Sequence, residues 1–159
     1  MSPETQYNNR ALVPDHPAVM ARWRDAAEAT RAATPPQQIA YGPGPREAMD
    51  LFEAGPDAPV AVFLHGGYWQ ALNKDWFSGL APALAAHGVS LAIPSYDLCP
   101  DVRLGQILRQ VRTAVEVVRD RTGTRPVVFG PADPDLPQRR PAAGRRRGRR
   151  PVAGPLAGA

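Results

Sequence analysis

The sequence has little of what several kinds of site are built from. One cysteine, Cys99, in 159 residues excludes a disulfide framework within the chain. No apolar run approaches the roughly 20 residues that a membrane helix needs, so no membrane partner is expected. The first ten residues, MSPETQYNNR, are polar with no apolar stretch behind them, and no secretory leader is expected. Together these features predict a cytoplasmic protein. Histidine is scarce, at His16, His65 and His87, and serine stops at Ser95 after Ser2, Ser78 and Ser90. Both shortages matter below.

The hydrophobic fraction of 43% suits a globular chain long enough for one domain. The formal charge of +4 is unevenly placed. Residues 1–130 hold twelve basic and thirteen acidic side chains, whereas residues 131–159 hold seven arginines and two aspartates. Any argument from charge to nucleic acid therefore applies only to the last segment.

Residues 15–33 read as a helix, with Asp15 at the N-cap, Pro17 in the first turn and Val19, Trp23, Ala26 and Ala27 on one stripe. Residues 37–41 and 48–53 read as short neighbouring strands around the turn-rich Gly42-Pro43-Gly44-Pro45. From Pro59 the texture changes. Residues 60–64, 89–93 and 127–129 are apolar runs of the kind buried on both faces of a parallel sheet. Between them, residues 75–87 read as a helix closed by Gly88. Residues 100–121 read as a longer helix, with Leu104, Ile107, Leu108, Val111, Val115 and Val118 on one stripe. Alternation of this kind predicts an α/β fold with right-handed crossovers.

His65-Gly66-Gly67 follows the first buried strand, where α/β folds place ligand-binding loops. Adjacent glycines let the backbone approach a substrate and adopt conformations closed to other residues, so their N–H groups can meet a developing oxyanion. Taken alone, the tripeptide also fits a plain strand-to-helix turn. Tyr68 and Trp69 fit either pocket lining or packing.

Around it stand Tyr7-Asn8-Asn9-Arg10, Asp15-His16-Pro17, Tyr41-Gly42-Pro43-Gly44, Asp50-Leu51-Phe52, Val62-Phe63-Leu64, Lys74 and Tyr96-Asp97-Leu98-Cys99-Pro100. With His65-Gly66-Gly67-Tyr68-Trp69 as its most specific block, this series resembles bacterial α/β-hydrolases of the kynurenine formamidase (arylformamidase) and carboxylesterase type. The likeness covers about residues 5–130. It implies the N-terminal part of an α/β-hydrolase fold, a mostly parallel sheet with flanking helices. It also implies hydrolysis of N-formylkynurenine or related small formamides and esters, without cofactor or metal. Gly66 and Gly67 would then supply oxyanion donors, with His65 shaping the loop.

In that family the strand at residues 127–130 runs into a Gly-x-Ser-x-Gly elbow, followed by an acid and a histidine. Here Gly130 is followed by Pro131-Ala132-Asp133-Pro134, and no serine or histidine comes later. Cys99 reads as a packed thiol, His87 as a helix C-terminal residue, and Asp97 and Asp101 as turn and cap residues. The triad is absent, and the chain as written is expected to be inactive. An unpaired edge at residues 126–129 would be a template for intermolecular pairing, so aggregation is expected.

Of residues 131–159, 23 are Pro, Arg, Ala or Gly, too little apolar surface to offset the entropy of ordering. The segment is expected to be disordered. These four residue types have codon families beginning with two G or C bases, so a shifted frame in GC-rich DNA would write such a tail. The alternative is a nucleic-acid-binding module built on Arg145-Arg146-Arg147-Gly148-Arg149-Arg150, although no aromatic residues are interleaved for stacking. The expected division is residues 1–130 as a partial hydrolase domain and 131–159 as a basic tail.

Overall fold

A computed structural model of the protein describes residues 13–131; the expectations for the basic tail lie, except for Pro131, outside them. Helix α1 (His16–Ala33) is followed by strands β1 (Gln37–Ala40), β2 (Ala48–Phe52) and β3 (Val60–Phe63). Two 3-10 turns, Lys74–Trp76 and Ser78–Leu80, lead into the short helix α2 (Ala81–Ala85). Then come β4 (Ser90–Pro94), helix α3 (Leu104–Thr122) and β5 (Val127–Phe129).

The five strands form one sheet in the order β1-β2-β4-β3-β5. The pairs β1–β2 and β2–β4 are antiparallel, and β4–β3 and β3–β5 are parallel. The sheet is thus mixed, with its parallel part at the β5 side. Side-chain alternation divides the core between two layers. Met49, Leu51, Val60, Val62 and Ala92 pack against Ala114 and Val118 of α3. Phe52, Phe63, Leu91 and Ile93 face the opposite side, with Ala81, Phe77 and Leu84 over them.

Several expectations need correction. Residues 75–87 do not form one helix. Pro82 lacks the N–H that would bond back to Ser78, and its ring crowds that carbonyl, so the segment breaks into 3-10 turns before α2. Helix α3 begins at Leu104, because residues 100–103 form the turn before it. Its buried face is Ile107, Gln110, Ala114 and Val118, rotated from the apolar stripe read in the sequence, and Leu104 is exposed. The stripe of α1 is likewise thin: Ala27 and Thr30 are buried while Trp23 stands 47% exposed. Asp15 sits at the N-cap of α1 without a side-chain capping bond. Lastly, β5 is not a buried strand. Val127, Val128 and Phe129 are all exposed, because among the described residues β5 has a neighbouring strand on one side only.

Candidate active site

The loop after β3 is built on unusual backbone. Gly67, Tyr68 and Trp69 have φ of 113°, 52° and 60°, and Leu72 follows at 71°. A side chain at Gly67 would collide with the Ala71 carbonyl, so glycine is required there. For Tyr68 and Trp69 the left-handed conformation costs about 1–2 kcal/mol each, so other parts of the molecule must hold the loop.

The bonds that do so converge from two segments, the β1–β2 turn and the stretch after β4. Cys99 N–H donates to Trp69 O at 2.7 Å. Arg46, in the β1–β2 turn, donates from Nε to Tyr96 O and from Nη2 to Leu72 O, each at 2.7 Å. The Tyr96 hydroxyl donates to His65 O, and Trp69 packs on the Tyr96 ring with centroids 5.4 Å apart. The glycine loop and the segment after β4 are thereby tied into one unit.

His65 is 3% exposed. A carbonyl only accepts, so the 2.9 Å contact of Nδ1 with Gly66 O fixes the proton on Nδ1. The ring stacks on Tyr96 at 4.1 Å, 7° from parallel, with Phe77 on its other side at 6.0 Å. Its Nε2 is buried and makes no hydrogen bond within the described residues. Burial pushes the His65 pKa down to about 4, outweighing the opposite effect of the Gly66 bond, so the ring is neutral near pH 7. Burial likewise raises the Tyr41 and Tyr96 phenols above their ordinary value, which keeps both protonated as donors. Tyr41 uses its proton on Ser95 O.

Gly66 lies beside the end of β5. Leu64 N–H donates to Phe129 O at 2.9 Å, and a β-carbon on Gly66 would stand 2.9 Å from Pro131 Cγ. The residues just after Phe129 thus pass beside the glycine loop, with Pro131 against Gly66. Tyr68 is 74% exposed at the rim, while Trp69 is half-buried against Tyr96.

The described serines are all buried, and each hydroxyl accepts a hydrogen bond. Ser78 accepts from Arg31, Ser90 from Ala54 N–H and Ser95 from Lys74 N–H. His16 opens α1 and exposed His87 follows α2, each on a different element from the loop. Among the described residues no cluster of three or more His, Cys, Asp or Glu could hold a metal ion. Nor is any helix there long and apolar enough to cross a membrane.

Sequence reasoning missed a charged cluster beneath the loop. Asp50 of β2 is fully buried and pairs with Arg31 of α1. Lys74 Nζ lies 3.0 Å from Asp50 Oδ1, an ion-pair contact outside hydrogen-bond alignment, and 3.0 Å from Asp75 Oδ1. A carboxylate in the strand Ala48-Met49-Asp50-Leu51-Phe52 was the available signal, since such a group demands a cationic partner. Gln110 was missed likewise: inside the apolar face of α3, it accepts from Asp97 N–H at 3.0 Å and donates to Asp97 Oδ2 at 2.8 Å.

No protein-family model matches the chain. Over 87 residues it is 33% identical to the kynurenine formamidase of Drosophila melanogaster, a match covering 53% of this chain and 29% of that protein. It is 34% identical over 80 residues to the kynurenine formamidase of Salmo salar, covering 48% and 27%. A solved structure from Silicibacter sp. tm1040, described as a thioesterase, matches with a TM-score of 0.72 and 34% identity over 78% of this chain and 49% of that one. An esterase from Mycobacterium marinum matches in fold, with a TM-score of 0.58 and 19% identity over 76% and 42%. The matched segments thus span less than a third of those formamidases and about half of the thioesterase-like chain.

Proposed function

We propose, taking as premise a kynurenine formamidase- and esterase-like chain of α/β-hydrolase fold, that residues 65–69 are the oxyanion half of a serine-hydrolase site. Gly66 and Gly67 would donate backbone N–H groups to the tetrahedral intermediate of a small formamide or ester, N-formylkynurenine being the substrate suggested by the named relatives. One donor of this kind is typically worth about 3–4 kcal/mol in the transition state. The observation that carries the reading is the glycine pair held open at the end of β3 with the end of β5 against it. A nucleophile placed directly after β5 would have those donors within reach of the same carbonyl.

His65 has a structural part in this reading. Neutral, stacked and bonded to its own loop, it orients the Gly66 peptide and takes no proton from substrate. Tyr68 and Trp69 line the acyl or aryl side of the pocket. The 159 residues contain no Gly-x-Ser-x-Gly elbow with a later acid and histidine, so in this reading the chain by itself is expected not to turn over. Losing a catalytic serine typically costs on the order of a million-fold in kcat.

The experiment is an assay of purified residues 1–159 on N-formylkynurenine and short p-nitrophenyl esters, beside resequencing of the gene through the Gly130 codon. Background rates are expected, with a Ser-Ala-Gly-Gly-like continuation in another frame. Turnover trapped by an organophosphate on Ser78, Ser90 or Ser95 would overturn the inactivity. Absence of any hydrolase-like frame would overturn the reading of the site and favour a module acting through its arginine-rich tail.

A further inference from the structure

A peptide plane is oriented by whatever holds its carbonyl. In a trans amide the C=O and N–H point in opposite directions, so a bond at one carbonyl aims the N–H of the next residue. The peptides His65–Gly66 and Gly66–Gly67 are both trans, and each carbonyl meets a buried side chain. His65 O accepts from the Tyr96 hydroxyl, and Gly66 O accepts from His65 Nδ1. The N–H groups aimed in this way are those of Gly66 and Gly67.

The Tyr96 proton has one place to go. Its oxygen lies 3.2 Å from His65 Nδ1, but that nitrogen carries the proton given to Gly66 O and cannot accept. The phenol therefore donates to His65 O. Tyr96 is itself held at both ends. It is fully buried, its ring centroid lies 4.1 Å from that of His65, and Arg46 Nε grips its carbonyl at 2.7 Å. The hydroxyl is thus a fixed donor at the back of the loop.

The front of the loop is open. Leu64 N–H is used on Phe129 O and Gln70 N–H on Gly67 O, whereas neither glycine N–H has an acceptor among the described residues. Both glycines are partly exposed. Carbonyls held from behind and N–H groups open in front are what preorganised donors require, since nothing need reorient as charge develops.

We propose that Tyr96 is a positioning residue of the oxyanion site, its hydroxyl fixing the His65–Gly66 peptide directly and the Gly66–Gly67 peptide through His65. The inference rests on the oxyanion reading of residues 65–69. Tyr96 touches no substrate and acts through the two glycine N–H groups. The relay has an order: Gly66 N–H is set by the Tyr96 hydroxyl itself, and Gly67 N–H by the His65 ring stacked on Tyr96.

Sodium formate, a minimal carboxylate, is the probe, titrated into the isotope-labelled full chain and followed at the Gly66 and Gly67 amides. Tyr96→Phe keeps the ring and removes the donor, so it should weaken formate binding at least about tenfold. Without formate, the Gly66 nitrogen resonance should move more than that of Gly67. Tyr41→Phe is the control, because it removes another buried hydroxyl, bonded to Ser95 O rather than to the loop. Formate affinity should be unchanged in it. Should Tyr96→Phe fail to fold, a ring-fluorinated tyrosine at position 96 keeps the hydroxyl and strengthens it as a donor. The Gly66 nitrogen resonance should then move and formate should bind more tightly; no change in either would overturn the proposal. No formate response at Gly66 or Gly67 in the unaltered chain would overturn the oxyanion reading and this proposal with it. A response that Tyr96→Phe leaves intact, or that Tyr41→Phe weakens equally, would overturn the proposal alone.

Discussion

His65 is the residue whose burial has the clearest consequence in solution. Its folded pKa of about 4 lies below the ordinary 6.5, so the unfolded chain binds this proton more readily. Stability from this site is complete above about pH 6.5, is lost as pH falls toward 4, and changes no further below that. The loss is on the order of 3 kcal/mol. Chemical denaturation at several pH values should show that slope, and His65→Asn should flatten it; an unchanged slope in the variant would sink the assignment. Asp50 makes a second prediction at this scale. Asp50→Asn leaves Arg31 and Lys74 without their buried counter-charge and should cost about 3–5 kcal/mol. A midpoint within error of wild type would mean that those two cations pair elsewhere.

Among the elements, α3 shows how a helix is oriented by more than its apolar stripe. Leu104 belongs to the stripe but is exposed, whereas Gln110 is buried because Asp97 offers it two hydrogen bonds. Ile107→Ala should therefore cost about 2–5 kcal/mol, and Leu104→Ala less than about 1 kcal/mol. Thermal melts of the two variants distinguish them, and equal losses would contradict the observed face. Segment 74–85 makes the complementary point. Its composition favours helix, but a proline in the fourth position after Ser78 is enough to divide it.

For the whole molecule, charge and apolar surface occupy different places. The basic residues after position 130 predict weak binding to RNA and DNA alike through phosphate contacts alone. Fluorescence anisotropy with unrelated oligomers should show affinity falling roughly a hundredfold between 50 and 200 mM salt. A sequence preference surviving high salt would instead identify a selected nucleic-acid module.

The sequence by itself determined the α/β alternation, the strand positions to within a residue or two, and the glycine loop after β3. Each depends on local periodicity or on backbone freedom that only glycine supplies. Tertiary structure alone decided which residues hold that loop. Arg46 reaches Leu72 and Tyr96 from 26 and 50 positions away, and Tyr96 and Cys99 reach His65 and Trp69 from across the β3–β4 crossover. It also decided that Asp50 meets Arg31 and Lys74, and that among the described residues the apolar run at β5 has a strand on one side only. A run of valines is the same in the middle of a sheet as at its margin. What separates the two is whether another strand lies alongside, and that is a contact distant in sequence, which no local pattern encodes.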